Sequence, residues 1–515
     1  MAVAKIKTFT NIGLDGYEVT VEVDANKSLP TFEIIWLPDA AIKEAKERMR
    51  MTFKNTGIQL PSKKIVLNLA PSDIRKVWTR FDVPMAVGVL FLLHEPSLKV
   101  KEIVQKSLFF GELGLDGGVK KVTGILPSII SAYKQWRKSF FVPEENIDEL
   151  KYIPGIDIYP LTNFWQCVDF FQGIGDVPCI KGNKWDIDTK IQEESYLVDF
   201  KDIKGHSVPK RALTIAAAWM HNVLMVGPPW SGKTMLAKAL QSILPPLTFK
   251  QVIEVSQIYS IVWWLNKNTP LITKRPFRMV HHTASKISIV WWGSQMTPGE
   301  ISLAHLWIMF FDELPEFPRE VLEVLRQPLE DKIITISRAQ WSVQYPADFM
   351  FVAAMNPCKC GFYKDREKDC VCSYNDIKRY QSKISGPLLD RFDMILEIPR
   401  EKIDTILDKE HTESSSDIRT KIQQSREMQQ KRYHDTPYVT NAQLWAKAIQ
   451  QFIQLPSDGE EFLKQAVKSL HLSPRVIHRT IKLARTIADI EWSDDILKAH
   501  LAEAMQYRAK TMFVE

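Results

Sequence analysis

Eight residues, Gly227-Pro228-Pro229-Trp230-Ser231-Gly232-Lys233-Thr234, place a lysine and a hydroxyl directly behind a turn bounded by glycines. This is the pattern G-x-x-x-x-G-K-[ST] of a phosphate-binding loop. The flanks suit the same chemistry. Asn222 to Val226 reads as a short apolar strand and Met235 to Ser242 as a helix, so successive N–H groups and a helix N-terminus would face an anion. Lys233 would reach the β- and γ-phosphates of ATP, and the Thr234 hydroxyl would ligate Mg²⁺.

Two further segments supply what such a loop lacks. Trp307 to Phe311 is an apolar run ending in Asp312-Glu313. Asp312 would hold Mg²⁺ through its water shell, and Glu313 would act as general base on the attacking water. A third strand, Met350 to Met355, ends in Asn356, whose amide could orient that water or simply terminate the strand. Cys358, Cys360, Cys370 and Cys372 form two C-x-C pairs nine residues apart. Four thiolates so close can surround one tetrahedral Zn²⁺; reduced thiols in a loop and redox chemistry are the other readings. His281-His282 would point to opposite sides of an extended segment, which argues against a shared metal. Cys167 and Cys179 read as buried or free.

A chain of 515 residues is too long for one core, and the usual domain size predicts about three. A hydrophobic fraction of 45% and a charged fraction of 25% exclude a disordered, collagen-like or disulfide-dense chain. The net charge of +6 permits contact with nucleic acid without arguing for it. The longest apolar run, Val83 to Leu93, is too short to span a bilayer, and the first residues hold no signal-peptide core. With sparse cysteines, the cytoplasm is the expected location and no membrane partner is expected.

Residues 1–175 read as α+β. Alternation at Tyr17, Val19, Val21 and Val23 marks a strand, with Thr31 to Leu37 expected as its partner; Asp39 to Met51 reads as a helix and Lys64 to Leu69 as another strand. Residues 176–199 read as a linker. Residues 200–398 alternate apolar strands with helices, the signature of an α/β domain with a mainly parallel sheet and a cysteine-bearing insertion. Residues 399–515 read as a small α-helical domain.

Long stretches in order resemble the magnesium-chelatase-like AAA+ ATPases of the YifB/ComM family. Among them are RFDVPMAVG (Arg80–Gly88), GELGLDG (Gly111–Gly117), PGEISLAH (Pro298–His305), FDELPEF (Phe311–Phe317), VLEVLRQPLED (Val321–Asp331), AAMNPCKCG (Ala353–Gly361), SGPLLDRFD (Ser385–Asp393) and LARTIADIE (Leu483–Glu491). The resemblance covers nearly the whole chain. It implies a domain with the fold of the Lon protease domain (ribosomal-protein-S5-like), then the P-loop AAA+ core and a helical lid. It also implies self-association into a ring, expected to be a hexamer, with ATP between subunits. Arg391 then looks like the arginine finger offered to a neighbour, and Arg475 like the sensor-2 arginine, with Arg479 the runner-up. Leu329 to Arg338 resembles a pore hairpin turning at Asp331-Lys332; Lys332 and Arg338 would touch a phosphate backbone there, or sit on a solvated tip. Relatives active in natural transformation are helicases that drive branch migration, which implies single-stranded or branched DNA as partner. A chelatase-type motor remodelling a protein partner and a nucleotide-binding scaffold with little turnover are the alternatives.

Two departures qualify the resemblance. Where the Lon nucleophile and its lysine would fall, the chain reads Arg80-Phe81-Asp82-Val83-Pro84 and Gly124-Ile125-Leu126-Pro127, so proteolysis is not expected. Tryptophan also stands at positions where the family carries glycine, among them Trp36, Trp78, Trp230, Trp291, Trp292, Trp307 and Trp341. Trp230 lies inside the phosphate loop, where its indole must point away or block the site. Weakened nucleotide binding is the expectation there.

Overall fold

A computed structural model of the chain describes residues 3–35, 40–72, 78–94, 96–183, 196, 198–262, 264–275, 277–292, 297–338, 341–402, 404–405, 413–436, 438, 440–444, 446–470, 474–508 and 513. Its N-terminal part holds two four-stranded sheets. In the first, β1 (Ala4–Ile12) and β2 (Asp15–Asn26) form an antiparallel hairpin, and β4 (Lys64–Ala70) lies between β2 and β3 (Phe32–Ile35). The expected pairing of the Thr31 segment with β2 is therefore corrected. β3 runs parallel to β4, because helix α1 (Ala40–Asn55) carries the chain back across the sheet before β4 begins. The apolar run becomes helix α2 (Asp82–Leu93), whose residues Asp82 to Leu90 are all buried against that sheet.

The second sheet orders β5 (Ser107–Phe109), β6 (Ser139–Pro143), β7 (Asp157–Leu161) and β8 (Ile180–Lys181) from one edge to the other. β8 pairs with β7, so chain expected to be linker already belongs to this sheet. The rest of the expected linker falls largely on residues 184–195, outside the described residues. Helices α3 (Ile125–Lys134) and α4 (Trp165–Gln172) complete this part.

The central sheet has five strands, all parallel: β9 (Val223–Val226), β10 (Phe277–Val280), β11 (Ile308–Phe311), β14 (Met350–Met355) and β15 (Met394–Glu397), in the spatial order β10-β11-β14-β9-β15. A separate hairpin pairs β12 (Ile333–Arg338) with β13 (Trp341–Pro346). Alternate side chains of the central strands enter two cores. Val223, Met225, Ile308, Phe310 and Val352 join one, and Leu224, Val226, Met309, Phe311 and Phe351 the other. β9, β11 and β14 are buried on both faces and so read as continuous apolar runs, whereas in β10 only Val280 is buried.

Helices α5 (Ser207–Trp219), α6 (Lys233–Ile243) and α7 (Phe249–Ile261) flank the phosphate loop and the N-terminal part. The C-terminal helices α8 (Ser415–Arg432), α9 (Pro474–Ile490) and α10 (Lys498–Gln506) share the first core through Ile418, Ile422, Leu483, Ile487 and Leu501. No described helix is long and apolar enough to cross a membrane.

The N-terminal part docks on α7 through Ser260. Its backbone carbonyl accepts from Gly124 N–H, and its hydroxyl donates to Glu149 Oε2 at 2.7 Å; Asn146 donates to the other carboxyl oxygen at 2.7 Å. Burial raises the Glu149 pKa above the ordinary carboxyl value. Arg80 and Asp82, in the stretch expected to lack a nucleophile, belong to a hydrogen-bonded network. The buried Arg80 donates to Asn11 Oδ1, Ser128 Oγ and the Thr123 carbonyl, and Asp82 accepts from Arg48 and Leu113 N–H.

Two helices end on tryptophan in the left-handed region: Trp136 (φ 66°) after α3 and Trp492 (φ 58°) after α9. That conformation costs an L-residue roughly 1–2 kcal/mol. Trp136→Gly and Trp492→Gly should each stabilise the chain by about 0.5–1 kcal/mol after the entropy glycine gains on unfolding, read as a higher urea midpoint at unchanged slope.

Candidate functional site

Because the five strands run the same way, the loops that follow β9, β10, β11 and β14 emerge at one sheet edge, where ligands of open α/β sheets bind. Gly227 to Gly232 follow β9, His281 and His282 follow β10, Asp312 and Glu313 follow β11, and Asn356 follows β14. β14 lies between β9 and β11, so Asn356 stands between the phosphate loop and the acidic pair.

Lys233 opens α6 and folds back into the loop. Its ammonium donates to the carbonyls of Gly227 and Pro228 at 2.8 and 2.7 Å, and lies 3.4 Å from both Ser231 Oγ and Asn356 Oδ1. Burial lowers its pKa to about 8, opposed by Asp312 and Glu313. The Thr234 hydroxyl donates to Asp312 Oδ2 at 2.9 Å, which puts two hard oxygen donors side by side. That donor set suits Mg²⁺. Glu313 has φ 52° and an outward carboxylate, 3.8 Å from His282 Nδ1. The five candidates Lys233, Thr234, Asp312, Glu313 and Asn356 are thus brought together.

Trp230 lies in the same loop at φ 63° with its side chain 90% exposed, so the indole fills no enclosed space. It leaves the Lys233 ammonium unobstructed from within. The histidines are corrected. A turn closed by Ala284 N–H on the His281 carbonyl brings the two rings together, with centroids 4.2 Å apart, and sets His282 against Glu313.

The arginines lie elsewhere. Arg391 is buried and ion-paired with Glu330 Oε2, while Arg475, exposed at the start of α9, donates to Glu330 Oε1 at 2.9 Å. One carboxylate therefore gathers both candidates, replacing the alternative pairing of Arg391 with Asp390 or Asp393. Arg479 pairs with Asp393 at 3.1 Å, and Asp393 bonds the N–H of Asn222, just before β9. These contacts sit at the sheet edge opposite the phosphate loop. Nothing in the sequence marked Glu330; its meaning comes only from the two arginines the fold brings to it.

The hairpin is also corrected. Arg326–Asp331 is helical, and Lys332 caps that helix in the left-handed region, ion-paired to Asp348 at 3.1 Å. The strands are Ile333–Arg338 and Trp341–Pro346, so Lys332 sits at the base and Arg338 adjoins the turn, whose residues 339–340 lie outside those described.

The four cysteine sulfurs of Cys358, Cys360, Cys370 and Cys372 lie within 4.8 Å of one another, with Sγ···Sγ separations of 3.3, 3.7 and 3.5 Å among the first three. Four Zn–S bonds of about 2.3 Å in a tetrahedron place sulfurs roughly 3.8 Å apart, so the cluster fits a structural zinc. Burial pushes the Cys358 thiol up to about 12. At Cys360 burial acts the same way but is outweighed by the N–H groups of Phe362 and Val371 and the Cys358 and Cys372 thiols, which leave it at about 6. The loop leans on the phosphate site: a Cβ on Gly361 (φ 89°) would meet Pro229 Cδ at 2.6 Å. Cys167 is buried, and Cys179 is exposed.

A phosphate loop, a facing acid pair and a polar strand tip on one edge of a parallel sheet define a P-loop nucleotide-binding protein of the magnesium-chelatase-like AAA+ class. Residues 199–406 match the family described as magnesium chelatase, subunit ChlI; residues 21–146 match subunit ChlI of Mg-chelatase, and residues 412–508 its C-terminal region. The chain is 37% identical to competence protein ComM of Haemophilus influenzae, covering 100% of this chain and 99% of that one. It is 37% identical to the uncharacterized protein YifB of Escherichia coli K12 (99% and 97% covered) and 33% identical to the uncharacterized protein Rv2897c of Mycobacterium tuberculosis (99% of each). The chain belongs to the YifB/ComM magnesium-chelatase-like family.

Two outcomes follow from this geometry. Since Lys233 loses its charge as pH rises through about 8, ATP affinity should fall roughly tenfold for each further pH unit, while Lys233→Arg should hold its affinity flat from pH 7 to 9 in a fluorescent-nucleotide titration. Elemental analysis should find one zinc per chain. Stripping it with a chelator, or Cys358→Ser, should weaken ATP binding through Pro229, with re-addition of zinc restoring it only in the unmutated chain.

Proposed function

We propose that this chain is a ring-forming AAA+ ATPase that couples ATP hydrolysis to movement of single-stranded or branched DNA. The observation that carries the ring is the separation of the arginines from the loop. Arg391 and Arg475 meet at Glu330, on the sheet edge away from Lys233, so a triphosphate they serve belongs to a neighbouring subunit. Glu330 then holds both guanidinium groups in the free chain and gives them up to the neighbour's γ-phosphate.

Within one subunit the residues divide the work. The loop N–H groups of Gly227 to Gly232 and the Lys233 ammonium bind the β- and γ-phosphates. Thr234 and Asp312 would hold magnesium, which supplies charge neutralisation at the phosphate oxygens. Glu313 takes a proton from the attacking water, and the Asn356 amide orients that water. His282, beside Glu313, holds the base to one side until nucleotide and water fill the site. The cysteine cluster, as a zinc site, stiffens the loop behind Pro229.

The remaining parts follow the same reading. Residues 1–175 act as a Lon-protease-like domain without proteolysis, extended by β8; residues 200–398 form the AAA+ core, and 399–515 its lid. The β12–β13 hairpin is the pore element, with Arg338 beside its tip as the phosphate contact. A relative named a competence protein favours DNA as the load. A rival is a chelatase-type motor acting on a protein partner, favoured by the ChlI matches that cover all three regions.

Turnover measured with and without single-stranded or branched DNA separates these. The motor reading expects DNA-stimulated hydrolysis, lost by at least a hundredfold in Lys233→Ala and in Arg391→Ala. Mixing those two inactive chains should restore turnover, because some interfaces then pair an intact loop with an intact arginine. Recovery absent from every mixture would overturn action between subunits, and stimulation by a protein alone would favour the rival.

A further inference from the structure

Tryptophan is concentrated where this backbone calls for glycine. Ten described non-glycine residues have φ in the left-handed region, and three of them are tryptophan, a type that supplies 15 of 515 residues. The three are Trp136, Trp230 and Trp492. Two of them close helices in one hydrogen-bonding pattern. After α3, Trp136 N–H donates to Tyr133 O and Arg137 N–H to Ala132 O; after α9, Trp492 N–H donates to Asp489 O and Ser493 N–H to Ala488 O. This paired 5→2 and 6→1 arrangement is the Schellman motif, whose left-handed position is usually glycine. The chain shows the ordinary form after α4, where Gly173 (φ 72°) and Ile174 make the same two bonds to Phe170 and Asp169. The third, Trp230, lies two residues before Gly232 (φ 82°) in the phosphate loop, where close backbone approach to an anion favours the absence of a side chain.

The indoles bring nothing to the fold in return. Trp136 and Trp230 are 87% and 90% exposed, so the apolar area that makes an aromatic residue stabilising stays in water, and Trp492 keeps 52% of its surface exposed. Two buried tryptophans, Trp219 and Trp307, leave the indole N–H without an acceptor. Composition points the same way. The 21 glycines among 515 residues fall short of the roughly 7% that glycine usually holds. No other type supplies more than two of the ten left-handed residues, the remaining seven being His206, Met220, Leu306, Glu313, Lys332, Lys364 and Asp435. Replacement by one bulky residue type points to a single cause at the codon.

We propose that positions 136, 230 and 492 are glycine in the polypeptide made by its source cell, because the codon that stands as tryptophan in this sequence is decoded there as glycine. The substitution arises during translation, so no bond in the folded chain is made or broken by it. The phosphate loop then carries a third glycine between Pro229 and Ser231, and its N–H groups face the nucleotide with no side chain at the crest. This rests on backbone conformation and not on the ATPase reading, which can fail independently.

The test is the mass of peptides from the protein isolated from its source cells. The tryptic peptides Ala212–Lys233 and Thr486–Lys498 report positions 230 and 492, and a peptic digest reports position 136, with fragment ions fixing the residue. Glycine at all three is the expected result. Tryptophan at any one of them in the native chain overturns the proposal, whether or not the protein hydrolyses ATP.

Discussion

The common direction of the five central strands is the constraint from which the rest of this molecule follows. Parallel strands need crossovers, and each crossover returns the chain to the same edge before the next strand starts. Segments more than a hundred residues apart, such as Gly227–Thr234 and Asn356, thereby end within hydrogen-bond reach of one another. The strand order, with β14 between β9 and β11, sets an amide between the lysine and the acid pair. The opposite edge collects the starts of the strands, and there Asp393 and Asn222 tie β15 to β9. Arg391 and Arg479 are fixed beside that tie, at the sheet edge away from the loop of their own chain.

The phosphate loop is held from outside as well as from within. Inside, a partly desolvated ammonium is satisfied by two carbonyls, an arrangement that a phosphate can replace with stronger, charge-assisted bonds. Outside, the cysteine loop touches Pro229 at Gly361, and Gly227 has its own close neighbour in the Ile398 carbonyl. The N-terminal part shares a buried core with α7, where Leu126, Ile129 and Leu150 meet Val255, Ile258 and Tyr259; beside it Ser260 donates to Glu149, and removing that hydroxyl would leave a buried carboxyl short of a donor. Motion of that part is therefore coupled to the core and not free of it.

How much of this was legible beforehand depended on whether the signal was local. The phosphate loop, the Asp312-Glu313 pair, Asn356 and the C-x-C pairs are each local in sequence, and β9, β11 and β14 announce themselves by being apolar on both faces. The misread features depend on distant partners. β3 was assigned to its chain neighbour, although the helix that follows it makes a parallel return to β4 the natural outcome. In the sequence Leu329, Ile333 and Ile334 look continuous, so the hairpin is expected too early, whereas Pro328 suits the first turn of a helix and Lys332 ends it. Adjacent histidines read as extended, and a turn through Thr283 brings their rings together. Glu330 was invisible, since an acid in a charged helix means nothing until two arginines 61 and 145 residues away converge on it.

The tryptophans show the same lesson from the other side. In the sequence they are departures from the family pattern; in the fold they separate by what the backbone asks of them. Trp307 stacks on Tyr259 with centroids 4.9 Å apart inside a core, so packing there compensates in part for its unpaired N–H. Trp136 and Trp492 stack in no such core: the helix ends they occupy need a left-handed residue, the hydrogen bonds form regardless of the side chain, and the indole is left wholly (Trp136) or half (Trp492) in solvent. A backbone that adopts the glycine conformation under a residue that resists it is evidence about the sequence the fold was selected on. In the phosphate loop that evidence bears on function, because the anion meets main-chain N–H groups there and any side chain on the loop is a burden on the site.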